Sequence, residues 1–418
     1  MIRFLHTADI HLDSPLRGLE VHEDAPVEKI RGATRRAFDN LIDLAIGEKV
    51  DFLLIAGDLY DGNWKDYNTG LFFADRMGRL NRAGIRVFIV SGNHDAASQI
   101  TRTMPLPDNV TLFPSRKPAT VRIDEYAISI HGQSYSSRAV TENLAVNFPP
   151  YDPHSFNIGL LHTSLTGREG HEDYAPCTID DLRSRGYDYW ALGHVHKREI
   201  VSTDPLIIFP GNLQGRHIKE TGVKGATLVT VKDGCVINAE QKNLDVLRWS
   251  ICRIDLSECD SSDSIYDTVR HGFVQELDLA DGNPLALRLI LTGRCVVHTQ
   301  ILNRTEGWIE EFRGIAAGLD GLWLEKVQFK TERKTNPEEI IAGDSAVASL
   351  LQSIKNLELD SETLSEMVPE LAVLKSKLPA EIYNDYHFFD TSSDRMTELQ
   401  TRVAELLTSR LLHHGETK

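Results

Sequence analysis

The chain has 418 residues, 41% hydrophobic and 25% charged, which is too long for one compact core and predicts two or three domains. Its formal net charge of -16 argues against a sequence-independent nucleic-acid coat, which would be basic. That objection weakens once the charge is located: residues 335–418 hold 15 acidic and 7 basic side chains, a net of -8, so half of the excess lies in the C-terminal fifth.

The chain opens with a repeated unit of apolar strand, polar turn and amphipathic helix. Strands are predicted over 2–5, 52–56, 86–91, 156–161 and 189–192, and helices over 27–48 and 68–82. Val87 to Val90 are apolar without alternation, as in a strand covered on both faces. Each strand closes in a polar cluster, in order HTADIH, GDLYD, GNHD, HTS and GHVH. Clusters converging from strand ends onto one rim are the architecture of an α/β active site. Alternating runs over 119–123, 126–131, 225–231 and 235–242 predict hairpins on a second sheet. From about Leu244 the pattern changes to strands over 249–256, 284–291 and 322–329, with helices over 264–277 and 305–316. Beyond Pro337 only helical periodicity remains.

No apolar run approaches the ~20 residues of a membrane span. The N-terminus lacks the order of a signal peptide, so a cytoplasmic protein without membrane contact is expected. Five scattered cysteines, never spaced Cys-x-x-Cys, predict reduced thiols rather than disulfides or a thiolate zinc site.

The strand ends offer Asp9, His11, Asp58, Asn93, His162, His194 and His196. All are oxygen or nitrogen donors suited to divalent transition metals. An Asp-x-His or His-x-His pair can turn both side chains to one side, because alternate residues of a strand share a face. His6 and His131 lie on strand-like segments and are expected to be bonded core histidines.

The series D9-x-H11, G57-D58-x-x-D61, G92-N93-H94-D95, H162 and G193-H194-x-H196 resembles the calcineurin-like metallophosphoesterases, specifically DNA repair nucleases of the SbcD and YhaO type. That resemblance implies a four-layer α/β sandwich, two sheets flanked by helices, over 1–245. It further implies a small α/β capping domain over 246–335 and a helical C-terminal region over 336–418, a candidate ATPase-binding segment. Two divalent ions are implied, manganese by family habit. Asp9, His11 and His196 would hold one, Asn93, His162 and His194 the other, and Asp58 would bridge them. A shared hydroxide would attack phosphorus in line, the two ions neutralising the developing charge. His94 would meet the substrate or protonate the leaving oxygen. Asp95 would orient His94 or cap the following helix, and Asp61 would play a supporting role. Downstream, Arg216, His217 and Lys219 are candidate DNA contacts.

The activity so implied is a 3′ to 5′ exonuclease on duplex DNA and an endonuclease on single strands, acting in repair or end processing. The implied partners are DNA, an SbcC-like or YhaN-like SMC-type ATPase, and a second copy in a homodimer. GDLYDGN lacks the arginine of the phosphoprotein phosphatase run GDxxDRG, which disfavours a monoester substrate. A small-molecule phosphodiesterase, such as one acting on cyclic nucleotides, is the alternative, and a vestigial site on a structural subunit a third.

Overall fold

In the computed structural model, which describes residues 1–14, 16, 32–61, 67–97, 106–165, 174–334 and scattered positions beyond, three central strands bury both faces. They are β1 (Ile2–Thr7), β2 (Phe52–Ala56) and β3 (Arg86–Val90). On one face Phe4, Phe52, Leu54 and Phe88 enter the core between two sheets. On the other, Leu5, Leu53, Ile55 and Ile89 pack against the apolar stripes of α1 (Ala33–Gly47) and α2 (Tyr67–Arg82), including Phe38, Leu41, Phe73 and Met77. With both faces covered, β2 and the run Val87–Val90 of β3 are wholly apolar, and the polar residues of these strands are Arg3 and Arg86 near their starts and the buried His6 and Thr7 at the end of β1. The N-terminal part of the helix expected over 27–48 lies outside the described residues.

The three strands run parallel, with Phe4 opposite Phe52 and Phe52 opposite Arg86. The first sheet has the order β12-β11-β1-β2-β3-β4. Here the expectation from sequence needs correction: β11 (Gly225–Lys232) and β12 (Cys235–Asn243) do not join the second sheet but extend the first, β11 lying antiparallel to β1. β11 is itself interior, with Val229 and Val231 in the inter-sheet core and Leu228 on the helix side. β4 (Val110–Leu112), a short edge strand, was not anticipated.

The second sheet, β5-β6-β7-β8-β10-β9, comprises β5 (Ala119–Ile123), β6 (Ile128–Gln133), β7 (Phe156–His162), β8 (Tyr189–Gly193), β9 (Glu199–Thr203) and β10 (Leu206–Phe209). Thus β7 and β8, which read as part of the opening repeat, belong to this sheet. Its outer face is covered by Trp190, Tyr187, Phe148 and Leu182, the last on a short helix over 179–183. Helix, sheet, sheet and outer layer form the expected four-layer α/β sandwich.

His6 and His131 are bonded core residues, as expected. His6 reaches the Tyr189 hydroxyl at 2.9 Å and the Leu192 carbonyl at 3.1 Å, and burial pushes its pKa down to about 3. His131 bonds Thr120 and Asn157 and stacks on Tyr187.

Later in the chain come β13 (Arg248–Asp255), β14 (Leu285–Cys295) and β15 (Leu322–Arg333), a third sheet in that order, with a helix over 262–279 and two more over 298–303 and 305–317. The chain divides into two compact units that interleave in sequence: 1–252 with 273–289 and 319–326, and 253–272 with 290–318 and the described residues from Val327 onward. The apolar faces expected around 347–357, 364–374 and 396–407 fall almost wholly outside the described residues.

Candidate metal centre

The parallel strands β1, β2, β3, β7 and β8 all end at one rim, and the loops leaving them are laced together. Asp9 and His11 donate backbone N–H to the carbonyls of Gly57 and Asp58, both at 3.0 Å, so the DIH turn runs beside the GDLYD turn. The Asp9 carboxylate accepts from the His194 N–H at 3.0 and 3.1 Å, and Asp58 Oδ1 accepts from the His94 N–H at 2.9 Å. Asp9, His11, Asp58 and His194 all have positive φ, at 50°, 45°, 52° and 107°. Such backbone in non-glycine residues is uncommon and concentrates at functional sites.

The motif glycines are a matter of room. A Cβ on Gly193 would lie 1.8 Å from the Ala56 carbonyl oxygen, and one on Gly92 would lie 2.3 Å from Asp58 Oδ1. Any side chain there would push apart strand ends that the metal ligands need close together.

The candidate ligands meet around shared points. Asp9, His11 and His196 offer ligand atoms within 4.8 Å of one another, as do Asp9, Asp58 and His162. Tautomers sharpen this at His162 and His196, because the second nitrogen of those two rings is already engaged. His162 Nδ1 donates to the Ala56 carbonyl at 2.9 Å, which leaves a lone pair on Nε2. That lone pair faces Asn93 Oδ1 at 3.0 Å and Asp58 Oδ2 at 3.5 Å. Likewise His196 Nδ1 donates to Glu220 Oε1 at 2.7 Å, and its Nε2 faces His11 Nε2 at 3.4 Å and Asp9 Oδ1 at 3.8 Å. Acceptors directed at acceptors repel unless a cation lies between them.

Titration behaviour agrees with this reading. Burial lowers the pKa of His11 and His162 to about 3, and it lowers that of His196 as well. All three imidazoles are therefore neutral, the form that ligates. Burial, then the neighbouring Asp58 charge, raises the Asp9 carboxyl well above its usual range. A divalent cation would offset that cost. The donor set thus fits divalent metal ions. His194 packs edge-on to His162, with 5.2 Å between ring centres.

His94 stands apart in its partners. Its Nδ1 lies 2.9 Å from Asp61 Oδ1, and its side chain is 33% exposed. Burial alone would lower its pKa, but the Asp61 hydrogen bond and the Asp58 and Asp61 charges more than offset that and raise it. His94 also falls within ligand distance of His11 and Asp58.

One expectation changes here. Asp95 does not orient His94: its buried carboxylate accepts from the backbone N–H groups of Leu59, Tyr60 and Gly92 at 3.2, 2.9 and 3.1 Å. It ties the GNHD turn to the GDLYD turn, and burial followed by the Asp58 charge raises its pKa to about 7. The carboxylate against His94 is Asp61, which also accepts from Ser14 Oγ at 2.6 Å and faces His11 Nδ1 at 3.4 Å. Of the candidate DNA contacts, Arg216 is turned toward the candidate metal centre. Its guanidinium lies 3.1 Å from Glu220 Oε1 and 4.0 Å from Asp61 Oδ2, with the side chain 13% exposed. His217 also approaches Glu220, at 3.5 Å, while Lys219 is exposed.

Glu220 went unremarked in the sequence. It is buried and accepts from His196, from Asn212 at 2.9 Å and from the Arg216 backbone N–H at 2.7 Å. Burial would raise its pKa, but the His196 bond and the Arg216 charge hold it well below the usual carboxylate range. Its only local signal is an acid four residues after Arg216.

A two-sheet sandwich whose strand ends gather seven histidine, carboxylate and amide donors defines a metallophosphoesterase. The family model for calcineurin-like phosphoesterases matches residues 2–198, and that for the middle domain of metallophosphoesterase YhaO matches 249–332. The chain is 38% identical over 315 residues to "Uncharacterized metallophosphoesterase YhaO" of Bacillus subtilis, covering 74% of this chain and 76% of that protein. It is 29% identical to "DNA double-strand break repair protein Mre11" of Sulfurisphaera tokodaii, covering 60% of this chain and 65% of that protein. Among solved structures, a dimetal phosphatase from Danio rerio matches with a TM-score of 0.35 at 13% identity, over 56% of this chain and 93% of that one. The chain belongs to the calcineurin-like metallophosphoesterases of the SbcD/YhaO type and is a metal-dependent phosphoesterase. Among the described residues no helix is long and apolar enough to cross a membrane.

Proposed function

We propose that the chain is a manganese-dependent DNA nuclease, a 3′ to 5′ exonuclease on duplex ends and an endonuclease on single strands. The observation that carries the phosphodiester chemistry is the set of inward-facing lone pairs on His162, His196, Asn93 and Asp58. Likeness to a protein named for double-strand break repair supports DNA as substrate, while manganese and the polarity are what the motif resemblance to the SbcD and YhaO type implies.

In this reading Asp9, His11 and His196 would hold one ion and Asn93, His162 and His194 the other, and Asp58 would serve both. When bound, such ions supply Lewis acidity toward a phosphodiester and lower the pKa of water. His94 meets the phosphate as an imidazolium and can release its proton to the leaving oxygen, because Asp61 favours the charged ring. Asp61 and Asp95 hold the loops that aim it. The purified protein with manganese should cleave linear duplex DNA faster than a cyclic dinucleotide or p-nitrophenyl esters. Turnover of the cyclic dinucleotide without DNA cleavage would replace this reading with a small-molecule diesterase.

The same proposal assigns 246–335 as a cap, 336–418 as the docking segment for an SMC-type ATPase, and a homodimer as the working form in the cytoplasm. The helical periodicity of the tail supports docking. Deleting 337–418 is expected to abolish co-purification with such an ATPase while sparing single-strand cleavage by the isolated subunit. Unchanged affinity of the truncated chain in a calorimetric titration would refute the docking role.

A further inference from the structure

The C-terminal end of β6 carries two buried polar atoms that have no hydrogen-bond partner among the described residues. Gln133 is 4% exposed, and its amide nitrogen donates to the Ser115 carbonyl at 3.2 Å while its side-chain oxygen bonds to nothing. Two residues on, Tyr135 is 3% exposed, its ring edge-on to His162 with 5.4 Å between centres and its hydroxyl likewise unbonded. Burying a polar atom without a partner leaves its desolvation cost unrepaid, so two in succession at the rim of a metal site point to something that bonds them in the working protein.

Each residue lines a cavity. Tyr135 lines one of about 340 Å³ that also meets Ser91 and Asp95 beside the candidate metal ligands. Gln133 lines the other, of about 540 Å³, together with Arg116 and Lys117. The steps Ser115–Arg116 and Gln133–Ser134 pass from one cavity wall to the next, so the two follow one another away from the metal centre. Arg116 and Lys117 are exposed and have no ion pair among the described residues. On a chain of net charge -16, an unneutralised pair of cations is where a polyanion finds local attraction.

We propose that these two cavities form a subsite for single-stranded nucleic acid, taking the stretch of strand next to the scissile phosphate. The Tyr135 hydroxyl donates to a backbone oxygen close to the metal centre. The Gln133 oxygen accepts from an amino or imino group of a base, and Arg116 and Lys117 meet the phosphates beyond. A cationic groove that tracks the backbone is the general means of holding a single strand. This inference rests on the DNA nuclease reading of the metal site and adds the residues that hold the strand and the direction in which it leaves.

The test is binding without turnover: fluorescence anisotropy of a labelled, mixed-sequence 12-nucleotide single strand in EDTA, across a salt series. Arg116→Glu with Lys117→Glu is expected to raise Kd at least tenfold and to lower the log–log salt slope by about 1.4, two phosphate contacts at ~0.7 each. The control, Lys49→Glu with Lys232→Glu, makes the same charge change at exposed positions preceding β2 and ending β11, at the opposite end of the first sheet. It should shift Kd less than threefold. The Arg116/Lys117 variant should hydrolyse bis(p-nitrophenyl) phosphate like the parent, since neither residue belongs to the metal centre. Gln133→Leu should weaken binding with little change in slope; because Gln133 is buried, the exposed pair remains decisive if this variant fails to fold. No binding by the parent protein, unchanged binding by the Arg116/Lys117 variant, or equal weakening in the control would each overturn the subsite and leave the two polar atoms to ordered water. Impaired binding by a protein that cleaves no DNA would keep the subsite and reject the nuclease.

Discussion

His94→Ala is expected to lower kcat by about 10²–10⁴-fold, the range for a general acid, while the purified protein keeps its divalent ions. The separation follows from its partners. The ring is anchored at Nδ1 by Asp61, 2.9 Å away, and is part exposed, whereas His11 and His162 are wholly buried among lone pairs. Asp58→Ala should behave oppositely, losing metal as well as activity. Its carboxylate is the group lying between the two ligand sets, 3.5 Å from His162 Nε2 and 3.9 Å from His11 Nε2. Without it two cations would face each other across neutral imidazoles and a single remaining carboxylate. Elemental analysis of both variants beside steady-state turnover decides the matter. Loss of one equivalent in the His94 variant would make it a ligand, and turnover near that of the parent would remove it from the chemistry.

The parts of this site legible in the sequence are those set by local pattern. Strands covered on both faces read as unbroken apolar runs, so Phe88 to Val90 announced themselves, and the ligands sit where those runs stop. Hidden parts depend on long-range pairing. Antiparallel addition of β11 to β1 joins residues more than 200 positions apart, and an alternating run carries no label for the sheet it enters. The exchange of Asp95 for Asp61 as the partner of His94 has a similar cause. Asp95 adjoins His94 in sequence, but the GNHD turn folds its carboxylate back onto three backbone N–H groups. The GDLYD loop then delivers Asp61 from 33 residues upstream. Sequence adjacency predicts contact poorly at a helix start, where neighbouring side chains diverge.

Glu220→Ala is expected to weaken one metal site and leave the other nearly intact. Glu220 Oε1 receives the Nδ1 proton of His196 at 2.7 Å, which fixes the tautomer that turns the Nε2 lone pair toward Asp9 and His11. Carboxylate partners of ligating histidines are worth about 10–100-fold in metal affinity. The loss should fall on the Asp9, His11 and His196 set, because His162 is oriented by the Ala56 carbonyl instead. Stability should fall as well. Glu220 is 5% exposed and Arg216 13%, and removing one partner of a buried ion pair costs on the order of 3 kcal/mol, here reduced by the Asp61 charge 4.0 Å from Arg216. Glu220→Gln has a single side-chain oxygen: turned toward His196 it keeps that acceptor, but its amide nitrogen then faces the N–H donors of Arg216 and Asn212, and the charge is gone. It should therefore recover most of the metal affinity and less of the stability. Competitive chelator titrations resolve the two sites, and thermal melts of the metal-free proteins isolate the ion pair. Equal weakening of both sites would mean that Glu220 acts through the general fold, and wild-type affinity in the alanine variant would mean that His196 needs no partner to hold its ring.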